Sequence, residues 1–144
     1  MTILLSQVKI ADTRSPFNGL VKDILIKDQQ IHSITDNYKG AADQTIDLKN
    51  SIVSPGFIDP FVHFCDPGME HRETLTTGSN AAIKGGFTTV FVVPNTTPVI
   101  DNKSQVTYVK QHSQELPIHI LPIGALSKKI EGKDLAEMID MNSN

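Results

Sequence analysis

Residues 56–68 read GFIDPFVHFCDPG and set Asp59, His63, Cys65 and Asp66 close together in the chain. These side-chain types can hold a metal, move a proton or attack an electrophile. Asp59, Phe61, His63 and Cys65 fall on alternate positions, and strict strand alternation puts them on one face. In a barrel that face is the inside or the mouth, and His63 and Cys65 reach the C-terminal end of the strand. Neutral imidazole binds zinc well, so His63 is a candidate ligand. The same residue fits a hydrogen-bonded core position, which spacing alone favours, because one histidine does not make a metal site. Cys65 as a nucleophile lacks an identifiable His or Asn pairing.

The loop CDPGMEHRET adds Asp66, Glu70, His71, Arg72 and Glu73. It reads as a solvated loop leading into the acidic first turn of a helix, where Glu73 complements the dipole. A general acid or base could also come from it. Asn95, within VVPNTTPV, offers amide donors and an acceptor to a polar ligand. The same Pro-Asn-Thr-Thr-Pro run is also good turn chemistry. His32, His112 and His119 are scattered without ligand-like spacing and read as structural.

The elements that must position these residues follow from the pattern of apolar side chains. Residues 1–52 read as a small β unit. Ile3, Leu5, Val8 and Ile10 alternate loosely, and Val21, Ile24, Ile26, Ile31 and Ile34 form a hairpin pattern broken at Asp28 and Gln29. QTIDLKN adds a further strand. Residues 53–144 then change period. GFIDPFVHF suits a strand buried on both faces. A helix follows with Leu75, Ala82 and Ile83 on one face and Gly85 or Gly86 as its stop. FTTVFVVP is a second buried strand. A second helix opens at Asp101 or Asn102 and carries Val106, Val109 and Ser113 along one face. PIHILPIGAL is a third strand, and GKDLAEMIDM a third amphipathic helix through Leu135, Met138 and Ile139. Three β–α units in succession predict a parallel sheet with right-handed crossovers. The fold class is α/β, either an open doubly wound sheet or the first three units or so of a (β/α)₈ barrel. No G-x-G-x-x-G follows a strand, which weakens the dinucleotide-binding version of the open sheet.

Composition narrows the classes of function. The chain has 144 residues, 39% hydrophobic and 20% charged, as expected of an ordinary globular protein. A net charge of −3 gives no electrostatic footprint for nucleic acid or an anionic membrane. The lone Cys65 excludes an intrachain disulfide and suits a reducing, cytoplasmic setting. MTILLSQVKIAD carries too short an apolar run for a signal peptide, and no window approaches the roughly 18 apolar residues of a membrane span.

SPGFIDPFVHF, DPGMEHRETLTTGSNAAIKGGFTTV, VPNTTPVIDN and LPIGALSKKIEGKDLAEM together resemble the dihydroorotases of the amidohydrolase superfamily. The match covers residues 50–141, and the β-rich start is similar to the first part of that family's small β-sandwich. PGFID alone is shared with hydantoinases and allantoinases, so a related activity on another cyclic amide is an alternative. The resemblance implies interconversion of dihydroorotate and N-carbamoyl-aspartate in pyrimidine synthesis, with a zinc centre that activates water and polarises the amide carbonyl.

By that resemblance His63 matches the second histidine of the family's His-x-His pair, but the first is replaced by Phe61, which has no lone pair to offer. Cys65 stands where the family has an arginine that holds the substrate carboxylate. Asn95 matches the other substrate-binding residue. The family's carboxylate ligand, later histidines and catalytic aspartate fall beyond Asn144, and so do the strands that would close the barrel. The expectation is a chain that binds no stoichiometric binuclear zinc and hydrolyses nothing by itself. Dihydroorotate as substrate, a homodimer, and a non-catalytic role beside aspartate transcarbamoylase are the partners the resemblance suggests.

Overall fold

In the computed structural model, which describes residues 1–142, the alternating apolar residues of the N-terminal stretch form strands. They belong to the first of two units, Met1–Pro55; the second begins at Gly56. The first unit contains β1 (Thr2–Ile10), β2 (Val21–Lys27), β3 (Gln30–Thr35), β4 (Gln44–Asp47) and β5 (Ile52–Val53). Their order is β3-β2-β1-β4, with β5 also paired to β1. Asp28 and Gln29 turn the β2–β3 hairpin with φ of 51° and 63°, the left-handed pair that a tight hairpin needs. Polar Asp and Gln take that backbone at lower cost than β-branched neighbours.

The loose alternation of β1 has a physical cause. Its register against β2 shifts between Leu5 and Val8, and Gln7 takes φ 58°. The buried carboxylate of Asp23 accepts the Gln7 and Tyr38 amides, each at 2.9 Å, satisfying donors that the shift would orphan. Val8, Ile10 and Ile24 form the small core here.

The second unit is a three-stranded parallel sheet, β6 (Phe57–Val62), β7 (Phe87–Val92) and β8 (His119–Pro122), in that order. Helix α1 (Leu75–Lys84) connects β6 to β7, and α2 (Lys103–Ser113) connects β7 to β8. Val90 and Val92 of β7 and Ile120 of β8 join Leu75, Val106 and Val109 in one core. The side chains predicted for the buried face of α2 are in place: Val106, Val109 and Ser113 are all buried, and Asn102 caps the helix through the Ser104 and Gln105 amides. Asp101, the other candidate cap, has a different task described below.

Helix α1 differs from its sequence reading. Leu75 is buried and Ala82 partly so, but Ile83 is 43% exposed. The buried face is completed by Gly78 and Ser79. A Cβ on Gly78 would lie 2.5 Å from the Phe64 ring, so the helix sits closer to the chain than an apolar-only stripe allows. Thr74 and Thr77 form a capping box, a device whose cap is worth about 1 kcal/mol. Glu73 precedes the cap instead of occupying the first turn; its carboxylate accepts from Thr74 N–H and the Thr77 hydroxyl. Gly86, at φ 82°, supplies the left-handed stop.

Two further expectations are corrected. Strand β6 is not buried on both faces: Phe57, Ile58 and Phe61 are 55%, 61% and 66% exposed. It is an edge strand, paired with β7 alone among the described residues. The third helix is also much shorter than its periodicity predicts. After β8 comes a 3₁₀ turn at Lys128–Ile130, then an isolated bridge between Ser127 and Leu135, and only then α3 (Met138–Asn142). Lys128 N–H donates to the Asp134 carbonyl at 2.9 Å and Ala136 N–H to the Leu126 carbonyl at 3.0 Å, so backbone groups that a helix would use pair across the bridge instead. The side chains turned inward are Ala136 and Met141, not Leu135, Met138 and Ile139.

Candidate functional site

The loops that follow β6, β7 and β8 are tied to one another at the C-terminal ends of the strands. Val93 N–H donates to the Val62 carbonyl at 3.1 Å, and Thr97 N–H to the Pro67 carbonyl at 3.0 Å. Ala125 N–H donates to the Ile100 carbonyl at 2.7 Å. Asp101 accepts the Lys129 amide at 2.8 Å and the Asn102 side chain at 2.9 Å. Asp101 therefore fastens the loop after β8 to the loop after β7. The Asp66–Pro67 and Thr97–Pro98 bonds, in the two loops that carry the candidate residues, are both cis.

His63 is exposed at the end of β6. The core placement that spacing favoured is overturned, and no described residue hydrogen-bonds its ring. Its neighbour is Phe61, whose ring meets it edge-on with centroids 5.5 Å apart and planes at 80°. The benzyl group thus stands beside the imidazole as an apolar partner.

The shared face inferred for Asp59, Phe61, His63 and Cys65 does not survive in the structure. Asp59 pairs with Val90 and Val62 with Val92, so β6 carries an extra residue between them. Such a bulge breaks strict alternation. Asp59 instead accepts the Phe61 amide at 3.0 Å. Asp59, His63 and Glu73 line one shallow cleft of 230 Å³ beneath α1. Among the described residues, however, no three His, Cys, Asp or Glu side chains converge to hold a metal.

Cys65 is buried, takes φ 60°, and turns its thiol to the His63 carbonyl at 3.7 Å. A buried thiol in this setting is a small apolar group, not a substrate clamp. Asn95 is exposed at the tip of the loop after β7. The backbone around it is held by Ile100 N–H to Pro94 at 3.0 Å and the Thr96 hydroxyl to the Pro98 carbonyl at 2.7 Å. Its side chain makes no bond to any other described residue, which leaves the amide open to a ligand. His32, His112 and His119 are exposed; His112 stacks on Tyr108 with centroids 4.0 Å apart.

The residue that sequence reasoning misplaced is Asp66. Far from lying in a solvated loop, it is buried. Its carboxylate accepts the Leu75 amide in the first turn of α1 at 3.1 Å and the Tyr108 hydroxyl of α2 at 3.0 Å. One side chain thereby locks the loop after β6 to both helices. Burial pushes the Tyr108 hydroxyl above its ordinary pKa, and the bond to Asp66 adds to the rise. No signal near Asp66 marks Tyr108, which is 42 residues away. Asp66→Ala removes both bonds and is expected to cost about 3 kcal/mol in urea unfolding, since charged hydrogen bonds contribute roughly 1.5–3 kcal/mol each. A loss below about 1 kcal/mol would show that the lock is not structural.

A parallel β–α sheet whose loops gather at the strand C-termini is the layout of the amidohydrolase barrels, and structural comparison agrees. The L-hydantoinase (dihydropyrimidinase) of Arthrobacter aurescens matches with a TM-score of 0.76 and 25% identity, over 87% of this chain and 28% of its own. A dihydroorotase matches with a TM-score of 0.64 over 89% of this chain and 32% of its own; at 18% identity that likeness shows the fold alone. The (β/α)₈ barrel, rather than an open doubly wound sheet, is therefore the fold from which these units come. The family model described as Dihydro-orotase-like matches residues 50–143, and the chain belongs to that family. The dihydroorotase of Clostridioides difficile is 36% identical over 141 residues, and that of Chlorobaculum tepidum 48% identical over 96. Those matches span 32% and 22% of the two relatives, so the chain corresponds to about a third of their length or less.

Proposed function

We propose that these residues supply the opening β–α units of a dihydroorotase-like cyclic amidohydrolase, and that they hydrolyse nothing by themselves. The observation that carries this reading is the Phe61 ring set edge-on to His63, 5.5 Å between centroids. A metal-activated water needs several convergent donors. Here one imidazole stands beside a hydrocarbon, and among the described residues no three His, Cys, Asp or Glu side chains converge to hold a metal. The residues present do not fit a zinc centre. What the chain retains is a positioning element: Asn95, on a braced loop, can donate to and accept from a polar cyclic amide.

Dihydroorotate, within pyrimidine synthesis in a cytoplasmic setting, is the substrate class that the family supports. The PG-x-E-x-x-E-T loop and the 36–48% identities to dihydroorotases favour it over a hydantoin. A second reading is a non-catalytic partner of aspartate transcarbamoylase. It is favoured by the coincidence of Phe61 and a buried Cys65 at the two ends of one short stretch. Loss of catalytic demand explains both with a single cause.

The purified chain is expected to contain no stoichiometric zinc by elemental analysis and to interconvert no dihydroorotate and N-carbamoyl-aspartate. Tight zinc binding or measurable turnover in a folded sample would overturn the reading. Loss-free co-elution with aspartate transcarbamoylase, without turnover, would select the non-catalytic partner. Turnover of a hydantoin would select the hydantoinase-like alternative.

A further inference from the structure

The first unit carries a cleft of 410 Å³ on the face of its sheet that lies away from the core. Val8 and Ile10 of β1 turn into that core, so Lys9 between them projects the other way. Lys9 stands opposite Val21 of β2 on one side and Ile52 of β5 on the other. Residues opposite one another in paired strands share a face, and all three line the cleft. Gln7 of β1 lines it too, together with Lys49 and Asn50 from the turn between β4 and β5. That turn is closed by Ser51 N–H donating to the Leu48 carbonyl at 2.8 Å, with Asn50 at φ 69°. Charge sets the cleft apart. Lys9 and Lys49 both line it, and no Asp or Glu does. The chain has 16 acidic residues against 13 Lys and Arg, and Lys22, Lys128 and Lys133 each take an acidic partner. Lys9 and Lys49 take none among the described residues. Asp47, two residues before Lys49, accepts the Lys49 amide at 3.0 Å and stays outside the lining. Two ammonium groups in one cleft without a counter-ion repel each other and attract an anion.

We propose that this cleft binds a small phosphomonoester carried on an apolar body. The site belongs to the first unit and is independent of the functional reading, which rests on residues of the second. Charge selects the phosphate. At neutral pH a phosphomonoester carries about −1.5 to −2, which two ammonium groups match, whereas a single carboxylate leaves one lysine uncompensated. Ammonium-to-phosphate contacts are charge-assisted hydrogen bonds, the stronger kind. Val21 and Ile52, both exposed, offer the organic body an apolar surface on either side of Lys9. The side-chain amides of Gln7 and Asn50 can donate to or accept from its polar groups. The volume falls within the roughly 300–1,000 Å³ of small-molecule sites. Lys9 is held by strands on both sides, which fixes the backbone beneath one of the two cations.

The test titrates the full chain with phenyl phosphate at low ionic strength, followed by calorimetry and by amide NMR shifts. Saturable binding is expected with a Kd of about 1 mM or tighter, and with shifts centred on Gln7, Lys9, Val21 and residues 49–52. Lys9→Gln with Lys49→Gln should weaken it at least about tenfold, since two charged hydrogen bonds are lost. Lys27→Gln with Lys39→Gln removes the same charge at exposed positions outside the cleft and should leave it within about twofold. Benzoate keeps the ring and halves the charge, and inorganic phosphate keeps the charge without the ring. Each is expected to bind at least about fivefold more weakly than phenyl phosphate. A Kd weaker than about 1 mM overturns the proposal, as do shifts centred elsewhere or equal losses in the two lysine pairs. Benzoate as tight as phenyl phosphate overturns the choice of a phosphate, and inorganic phosphate as tight overturns the apolar body. All four substitutions lie at exposed positions, and the NMR spectrum of each variant shows directly that it is folded.

Discussion

Phe61→His is expected to raise the affinity of the chain for zinc by about two orders of magnitude. A four-ligand structural zinc site is worth roughly 10–16 kcal/mol in binding, so one ligand contributes about 3 kcal/mol, or a hundredfold. The geometry makes the substitution a direct test. The Phe61 ring already lies next to the His63 ring, with centroids 5.5 Å apart, and both are exposed at the strand end. An imidazole in place of the benzyl group brings a second nitrogen donor into that space without moving the backbone. Cobalt absorption and calorimetric zinc titration of the variant and the parent chain would measure the change. Equal affinity would mean that His63 is not oriented as a ligand, and that more than Phe61 separates this site from a metal centre. Hydrolysis is not expected from this change alone, because the described residues bring no three His, Cys, Asp or Glu side chains together.

Gly68→Ala is expected to cost about 3 kcal/mol or more and to lower the thermal midpoint by about 10 °C. Gly68 lies at φ 94°, and an added Cβ would fall 1.8 Å from the Thr97 carbonyl oxygen. The first effect is a left-handed backbone penalty of roughly 1–2 kcal/mol. The second is a clash with main chain, which has no rotamer to escape into. Gly132→Ala separates the two, since Gly132 sits at φ 71° with nothing within 4 Å of an added Cβ. It is expected to cost only the backbone part, about 1 kcal/mol. Equal losses in the two variants would show that the loops after β6 and β7 can part freely. That contact braces the loop that carries Asn95 against the loop that follows His63. Relaxing it would therefore weaken any binding through Asn95 along with stability.

Much of this was legible in the sequence. The β2–β3 hairpin, the parallel pairing of β6, β7 and β8 and the buried face of α2 all rest on local rules. Each depends on side-chain type or on a period of about two or 3.6 residues, and neighbours in the chain suffice to fix it. The helix stop at Gly85 or Gly86 belongs with them, and the structure puts the left-handed residue at Gly86, a backbone that glycine takes freely.

Other features were decided only by tertiary structure. Asp66 looked solvated because its partners, Leu75 N–H and Tyr108, lie 9 and 42 residues away, where no local pattern reaches. The shared face of Asp59, Phe61, His63 and Cys65 failed because one extra residue in β6 shifts its register against β7, a property of the pair of strands. Leu135 and Ile139 kept a helical period, yet the pairing of residues 134–136 with 126–128 delayed the helix to Met138, and both side chains are exposed. Sequence alone thus determined which side chains this protein has available for chemistry and which strands and helices carry them. Which of those side chains face one another was left to register, loop-to-loop hydrogen bonds and burial, because these are set by contacts between residues distant in the chain.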